Sequence, residues 1–133
     1  MAKAFTLSVV SPDRSVVETD VTSVVAPGVL GYFGVLGDHV PMVSALAAGI
    51  VEYIENNDRT HLAIGGGFCE VSDGKVTILA DSAHFASEID LAVEENRLAD
   101  ALKAMRGDES DMTTDQARKV LDEAMAKIRA AKR

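Results

Sequence analysis

The order of hydrophobic and polar residues changes its period once along this chain. Up to residue 80, short runs rich in β-branched residues alternate with turn residues, as in half-buried strands. Asn56-Asn57-Asp58 and Ser72-Asp73-Gly74 are typical hairpin turns between such runs. The predicted strands cover residues 5–10, 16–25, 31–36, 42–46, 49–55, 60–64, 67–72 and 75–79. Many short strands with little helix between them predict an N-terminal antiparallel β-sandwich, or flattened barrel, over residues 1–86.

Beyond residue 86 the apolar residues recur at helical spacing. The residues that define a first helix are Ile89, Leu91, Leu98, Leu102 and Met105. Gly107 ends this helix, because glycine suits the left-handed terminal position, and Thr113 with Gln116 forms a capping box for a second helix. The apolar stripe expected on the second helix consists of Ala117, Leu121, Ala124, Ile128 and Ala131, widened by Val120 and Met125. Residues 87–133 are therefore predicted to form a C-terminal antiparallel two-helix hairpin that needs another surface for its stability.

The charge distribution indicates two units with different partners. The formal net charge of −8 argues against nucleic-acid binding, which requires lysine and arginine to replace phosphate counterions. Residues 1–88 contain 11 acidic and 4 basic residues, whereas residues 113–133 contain 3 acidic and 6 basic residues. No apolar run approaches the roughly 20 residues needed to span a bilayer, and the start lacks the apolar block of a signal peptide. The protein is expected in the cytosol, or at a membrane only through its partners.

The residue types that carry chemistry do not converge on a catalytic or metal site. Cys69 is alone, and His39, His61 and His84 have no metal-ligand spacing around them. Residues 65–67 are three glycines, but no helix and no Lys-Ser/Thr pair follow them, so they do not form a phosphate loop. The chain is therefore predicted not to be an enzyme and to hold no metal.

Four motifs in a fixed order carry a family resemblance. The segment GYFGVLGDHVPMV at residues 31–43 resembles the Gly-x-aliphatic-Gly-aliphatic-x-x-x-His-x-Pro signature of the epsilon subunit of F-type ATP synthases. It is followed by AGI at 48–50, GGGFCEV at 65–71 and VTILAD at 76–81. The match covers the whole predicted sandwich, and the length and the helical tail also fit.

The resemblance implies a non-catalytic rotor subunit of the central stalk, which helps to couple proton flow to ATP synthesis. Its implied partners are the gamma subunit, the ring of c subunits and, transiently, the alpha and beta subunits. Its implied place is peripheral, on the cytoplasmic face of the bacterial inner membrane. The residues expected to face gamma are Ser11, His39, Ser44, Gly65, Glu70 and Thr77. The residues expected in a loop facing the c-ring are Gly28, Leu30, Gly31 and Tyr32, which favour an apolar contact over a charged one.

The helical tail of this family is a mobile regulator that can enter the catalytic head and block ATP hydrolysis. The basic residues implied in such a role here are Arg118, Lys119, Lys127, Arg129, Lys132 and Arg133. Cations near the end of an ordinary solvated helix, where they favour the helix dipole, are the alternative explanation.

Some family members also bind ATP through an Ile/Leu-Asp-x-x-Arg-Ala motif in the tail. This chain begins the motif with Ile89 and Asp90 but has Val93 and Glu94 at the arginine and alanine positions, and Asp100 where a later cation is expected. Without the guanidinium the site lacks its bidentate phosphate donor, so no ATP cofactor is expected.

Two other functions are compatible with the sequence. The chain could act chiefly as an ATPase inhibitor through its tail, which deletion of residues 89–133 would reveal. A free-standing β-sandwich that binds a small ligand would be a stable monomer without affinity for gamma.

Overall fold

The computed structural model describes residues 3–108 and 111–133, which form a β-sandwich followed by two helices. The strands are β1 Phe5–Val10, β2 Ser15–Val21, β3 Ser23–Gly28, β4 Gly31–Val35, β5 Met42–Glu55, β6 Asp58–Ser72, β7 Lys75–Ala80 and β8 Ala83–Phe85. A 3₁₀ turn at Ala86–Glu88 leads into α1 Leu91–Met105 and α2 Thr114–Ala131. The predicted sandwich and helical hairpin are both confirmed.

The strands form one hydrogen-bonded path that folds over on itself. Their order is β2-β1-β7-β6-β5-β3-β4, and β8 pairs with β6. The pairs described along this path are antiparallel, apart from the parallel pair of β1 with β7. Because β2 and β4 are the two ends of the path, the fold is an open sandwich and not a closed barrel.

Three predicted strand boundaries were wrong. The predicted strand at 16–25 is two strands, β2 and β3, which pair with β1 and β5 respectively. The segments 42–46 and 49–55 are one strand, and so are 60–64 and 67–72. Gly49 does not break β5, because a Cβ there would lie 2.7 Å from both Pro27 Cβ and Tyr32 Oη; the glycine permits close packing inside a continuous strand.

The two hairpin turns follow the predicted chemistry. Asn56 and Asn57 have φ values of 51° and 69°, the positive pair that a tight hairpin between β5 and β6 requires. Gly74, with φ of 70°, closes the turn between β6 and β7.

The core of the sandwich lies between its two layers and consists mainly of aliphatic side chains, with Phe5, Tyr53 and Cys69 among them. Leu7, Val9, Val24, Leu62 and Ile78 are fully buried there. The core side chains of β5 are even-numbered up to Leu46 and odd-numbered from Val51 onward. The phase of the pleat therefore changes within the strand, and its outward positions serve two different surfaces along its length.

The hairpin packs on the sandwich through α2. Asp90 caps α1 by accepting hydrogen bonds from the backbone N–H groups of Ala92 and Val93. The predicted capping box of Thr113 and Gln116 opens α2. One face of α2 lies on β5 and β6, and α1 packs against α2. Ala126 and Ala130 of α2 pack against Ile50 and Ala63 of the sandwich, and Ala117 and Ala124 of the same helix are also buried.

Candidate interaction surfaces

An exposed apolar patch lies on the outward face of β5, β6 and β7. Strand register places Phe68 beside Leu79 and, one row further, Glu70 between Val43 and Thr77. Val43, Phe68 and Leu79 are more than half exposed. We call these five residues the outer patch; with Cys69 they line a cleft of about 250 Å³. Exposed apolar side chains grouped in this way mark a site of protein contact.

The six residues predicted to face gamma do not lie together in the isolated chain. Glu70 and Thr77 are direct cross-strand neighbours in the outer patch. Ser44 is on the next position of β5 from Val43, so it points to the opposite side of the strand. Ser11 is buried just after β1, where its hydroxyl donates to Arg14 O at 3.3 Å.

The other two predicted residues lie apart from each other. His39 belongs to the loop between β4 and β5, beside the hairpin turn at Gly74. Gly65 is beneath α2, because a Cβ there would meet Ser82 Oγ at 2.5 Å and Glu123 Oε1 at 3.1 Å. Gly65 therefore faces the folded hairpin, whereas Glu70 and Thr77 face open space.

The apolar members of the outer patch were absent from the sequence prediction, although the pattern contained a signal for them. In β6, Cys69 and Val71 point into the core. Because side chains of a strand alternate between its two faces, Phe68 lies on the face opposite to Cys69 and Val71 and contributes nothing to the core. Apolar residues on both faces of a strand could therefore have identified this surface.

The predicted ring-facing loop is the tip of the hairpin between β3 and β4. Gly28 pairs with Gly31 across the turn, and Leu30 at its apex is fully exposed. A Cβ on Gly28 would lie 2.7 Å from Gly31 O, so the tight turn requires glycine. Tyr32 has an exposed ring, while its hydroxyl accepts a hydrogen bond from the N–H of Ile50 at 3.0 Å. The loop therefore has an exposed apolar tip, and a hydrogen bond to β5 holds its base.

The ring-facing loop and the outer patch adjoin one another. The N–H of Val29 donates to Ala45 O at 3.1 Å, and Ala45 pairs with Phe68. One hydrogen bond and one strand pair therefore connect the tip of the loop to the centre of the patch.

The basic residues predicted in the tail divide into two groups. The exposed ones are Arg118, Lys119, Arg129, Lys132 and Arg133. Lys127 is instead buried, with its Nζ 3.7 Å from Oε1 of the buried Glu94 on α1. The same oxygen accepts a hydrogen bond from Arg97 Nη1 at 3.0 Å. In the folded hairpin Lys127 is therefore occupied by an internal ion pair.

The residues that begin the nucleotide motif have structural roles in the folded hairpin. Ile89 packs against the apolar contact between α2 and the sandwich, and Asp90 is the cap of α1. Val93, at the arginine position of that motif, is exposed.

Within residues 3–108 and 111–133, no cluster of three or more His, Cys, Asp or Glu side chains could hold a metal ion. Burial raises the pKa of the Cys69 thiol to about 11, so the thiolate needed for nucleophilic chemistry does not form near neutral pH. No helix in this part of the chain is long and apolar enough to cross a membrane.

Comparison with known proteins gives a consistent result. Residues 4–86 match the family of the ATP synthase delta/epsilon chain beta-sandwich domain. The ATP synthase epsilon chain of Nitratidesulfovibrio vulgaris (strain DP4) is 48% identical over 91 residues, which are 68% of this chain and 68% of the relative. That of Anaeromyxobacter sp. (strain K) is 46% identical over 88 residues, 66% of this chain and 67% of the relative.

Solved structures extend the similarity to the helices. A chain in the cryo-EM structure of the Euglena gracilis mitochondrial ATP synthase, comprising OSCP, F1 and c-ring, superposes with a TM-score of 0.83 at 26% identity. The superposition covers 98% of this chain and 82% of that one. A chain in the central stalk/c-ring structure of the Tetrahymena thermophila mitochondrial ATP synthase shares the fold at 12% identity, with a TM-score of 0.64 over 96% and 98% of the two chains. On the sandwich match and the identity to curated relatives, this chain belongs to the epsilon-chain family of F-type ATP synthases.

Proposed function

We propose that this chain works as a non-catalytic rotor subunit that couples proton translocation to ATP synthesis by joining the gamma subunit to the c-ring. The epsilon chain is an accessory subunit of the ATP synthase and not its catalytic one. The observation that carries the specific assignment is the continuity of two exposed apolar surfaces, the outer patch and the ring-facing loop. An adaptor between two partners needs two contact surfaces on one stiff element.

We assign the outer patch to gamma. Phe68, Leu79 and Val43 are exposed on the face of the sheet opposite to the core. Glu70 and Thr77 lie among them as polar groups. This composition fits a protein interface, where a few apolar anchors are accompanied by polar side chains that fix the orientation. Glu70 would accept a hydrogen bond or ion pair from gamma at the centre of the contact.

We assign the loop to the c-ring. Leu30 at its tip and the ring of Tyr32 favour an apolar and aromatic contact with the ring subunits. The hydrogen bond from Ile50 N to Tyr32 Oη fixes the base of the loop, so that a lateral force on the tip is transmitted to β5. This arrangement accounts for torque transfer without any charged contact at the tip.

We further propose that the hairpin regulates ATP hydrolysis and binds no ATP itself. Its exposed arginines and lysines would meet an acidic surface of the catalytic head after the hairpin leaves the sandwich. In its folded position the contact with the sandwich is made mainly by small side chains, a cluster of Ile50, Ala63, Ala126 and Ala130. A contact of this size stabilises docking only modestly, which suits a segment that moves. Peripheral attachment to the bacterial inner membrane would follow from assembly into the complex.

Deletion of residues 89–133 in the assembled ATP synthase tests both halves of the proposal. The sandwich keeps its own core cluster, which lies within residues 5–85. We therefore expect the shortened enzyme to retain proton-driven ATP synthesis while its ATP hydrolysis rises. Loss of synthesis would assign the coupling role to the tail, and unchanged hydrolysis would refute the regulatory role.

A further inference from the structure

A histidine of the sandwich faces the hairpin at the point where α2 docks. His84 on β8 is the cross-strand partner of Ala63 on β6, and paired residues on neighbouring strands point to the same side. Ala63 packs against Ala126 and Ala130 of α2. His84 Nδ1 is buried and lacks a hydrogen-bond partner, a state that a neutral imidazole tolerates with this nitrogen as the unprotonated acceptor.

The residue after Ala126 on α2 carries a buried positive charge. It is Lys127, which is only 9% exposed. Its partner Glu94 is 7% exposed and shares one carboxylate oxygen between Lys127 and Arg97. These three side chains have a net charge of +1, so the ion cluster has no spare negative charge for a second cation beside it.

The remaining charges around His84 nearly cancel. Glu88, in the turn after β8, binds Arg14 from the loop after β1, with Oε1 and Nη2 3.1 Å apart. Burial lowers the pKa of His84 below its ordinary value of 6.5, the positive charge of Lys127 lowers it further, and Arg14 adds to this effect. Glu88 and Glu94 act in the opposite direction but do not reverse it.

We propose that His84 and Lys127 form a proton-sensitive clasp between the sandwich and the hairpin: a neutral His84 permits docking of α2, and its protonation releases the hairpin. The sign follows from the buried geometry. A proton on His84 places two cations together at the docked interface, whereas after undocking the two side chains separate into water. Docking is therefore fully stable above about pH 6.5, the ordinary pKa of histidine, and weakens as the pH falls toward the lower pKa of the docked state.

Amide hydrogen exchange on the isolated chain of residues 1–133 tests this clasp without requiring any partner. Exchange of α2 amides is compared between the wild type and His84→Gln at pH 7.5 and at pH 5.5, so that the intrinsic pH dependence of exchange cancels in the ratio. Because one proton shifts an equilibrium by at most about tenfold per pH unit, we expect the ratio of wild-type to variant rates to rise about three- to tenfold on acidification. His39→Gln, at the far end of the sandwich, is the matched control and should respond to pH as the wild type does.

A second measurement keeps the test decisive even if His84→Gln changes the fold. The imidazole proton shifts of the wild type, followed by NMR, should give His84 a titration midpoint below 6.5, and Lys127→Met should move that midpoint upward. The clasp is refuted if the exchange ratio is the same at both pH values, or if His39→Gln abolishes the effect as His84→Gln does. A His84 midpoint at or above 6.5 would refute it equally.

Discussion

Replacement of Phe68 by alanine should weaken binding to gamma while leaving the fold intact. Phe68 is the largest side chain of the outer patch and is 59% exposed. With about 200 Å² of surface on a phenylalanine side chain, about 120 Å² is free for a partner to cover. At about 25 cal/mol per Å² this area contributes about 3 kcal/mol, of which the remaining alanine methyl keeps a small part. We therefore expect a loss of about 2 to 3 kcal/mol, or an affinity reduced about 30- to 150-fold.

The assay is the dissociation constant for purified gamma, measured by surface plasmon resonance on the chain of residues 1–133. Val93→Ala provides a matched control, because Val93 is an apolar residue that is 49% exposed but lies on α1, away from the outer patch. The melting temperature should change little for either variant, since an exposed side chain contributes little to the free energy of unfolding. Wild-type affinity of Phe68→Ala, or an equal loss with Val93→Ala, would refute the assignment of this surface to gamma.

Four further predictions concern the fold and the tail. Gly67→Ala should lower the free energy of unfolding, measured with urea, by about 3 kcal/mol or more, because φ is +142° and the new Cβ would lie 2.0 Å from the backbone oxygen of Leu79. Gly74→Ala should lower it much less, because φ there is +70° and no atom lies within 4 Å of the new Cβ. Glu94→Gln should lower the free energy of unfolding of the docked hairpin by about 3 kcal/mol, because Lys127 loses its buried partner. Replacing both Glu94 and Lys127 by leucine should recover most of this loss in the same unfolding assay. Alkylation of Cys69 at pH 8 should be about 100-fold or more slower in the folded chain than after unfolding, and fast labelling would show that the thiol is not held near pKa 11. Isothermal titration with ATP should give no binding, and a dissociation constant in the low micromolar range would contradict the proposal that the hairpin lacks a nucleotide site.

Turns and helix caps could be predicted from the local sequence, because their conformation depends on residues that are close together in the chain. The Asn-Asn turn, the Ser-Asp-Gly turn and the Thr113 capping box were all predicted from residues within four positions of each other. Gly107 at the end of α1, with φ of 87°, belongs to the same class. Each of these features stabilises its own backbone conformation, so no distant contact is needed to recognise it.

Prediction failed where a distant contact determines the local structure. The predicted gap between the strands at 42–46 and 49–55 is absent, because β5 pairs with β6 on both sides of it and Pro27 and Tyr32 pack against Gly49. The division of 16–25 at Thr22 depends on Ile54, whose carbonyl accepts from Thr22 N at 2.9 Å. None of these partners can be identified from the segment itself, since all of them are brought close only by the completed sheet.

The candidate surfaces show the same limit. Lys127 was predicted as one of six basic residues of a regulatory tail, but in the structure it is buried beside Glu94, which is on a different helix, 33 positions away. The expected stripe of α2 included Met125 and Ala131, whereas Ala126 and Ala130 make the contact with the sandwich. Small residues give a weak hydrophobic signal, although they permit the closest helix-to-sheet packing.

Adding this chain back to an ATP synthase that lacks its epsilon chain, in sealed membrane vesicles, is the most direct test of a rotor function. We expect the chain to bind the depleted enzyme and to restore proton-driven ATP synthesis, while the purified chain alone hydrolyses no ATP. Failure to bind, unchanged ATP synthesis after binding, or turnover of ATP by the chain alone would contradict the function proposed for it.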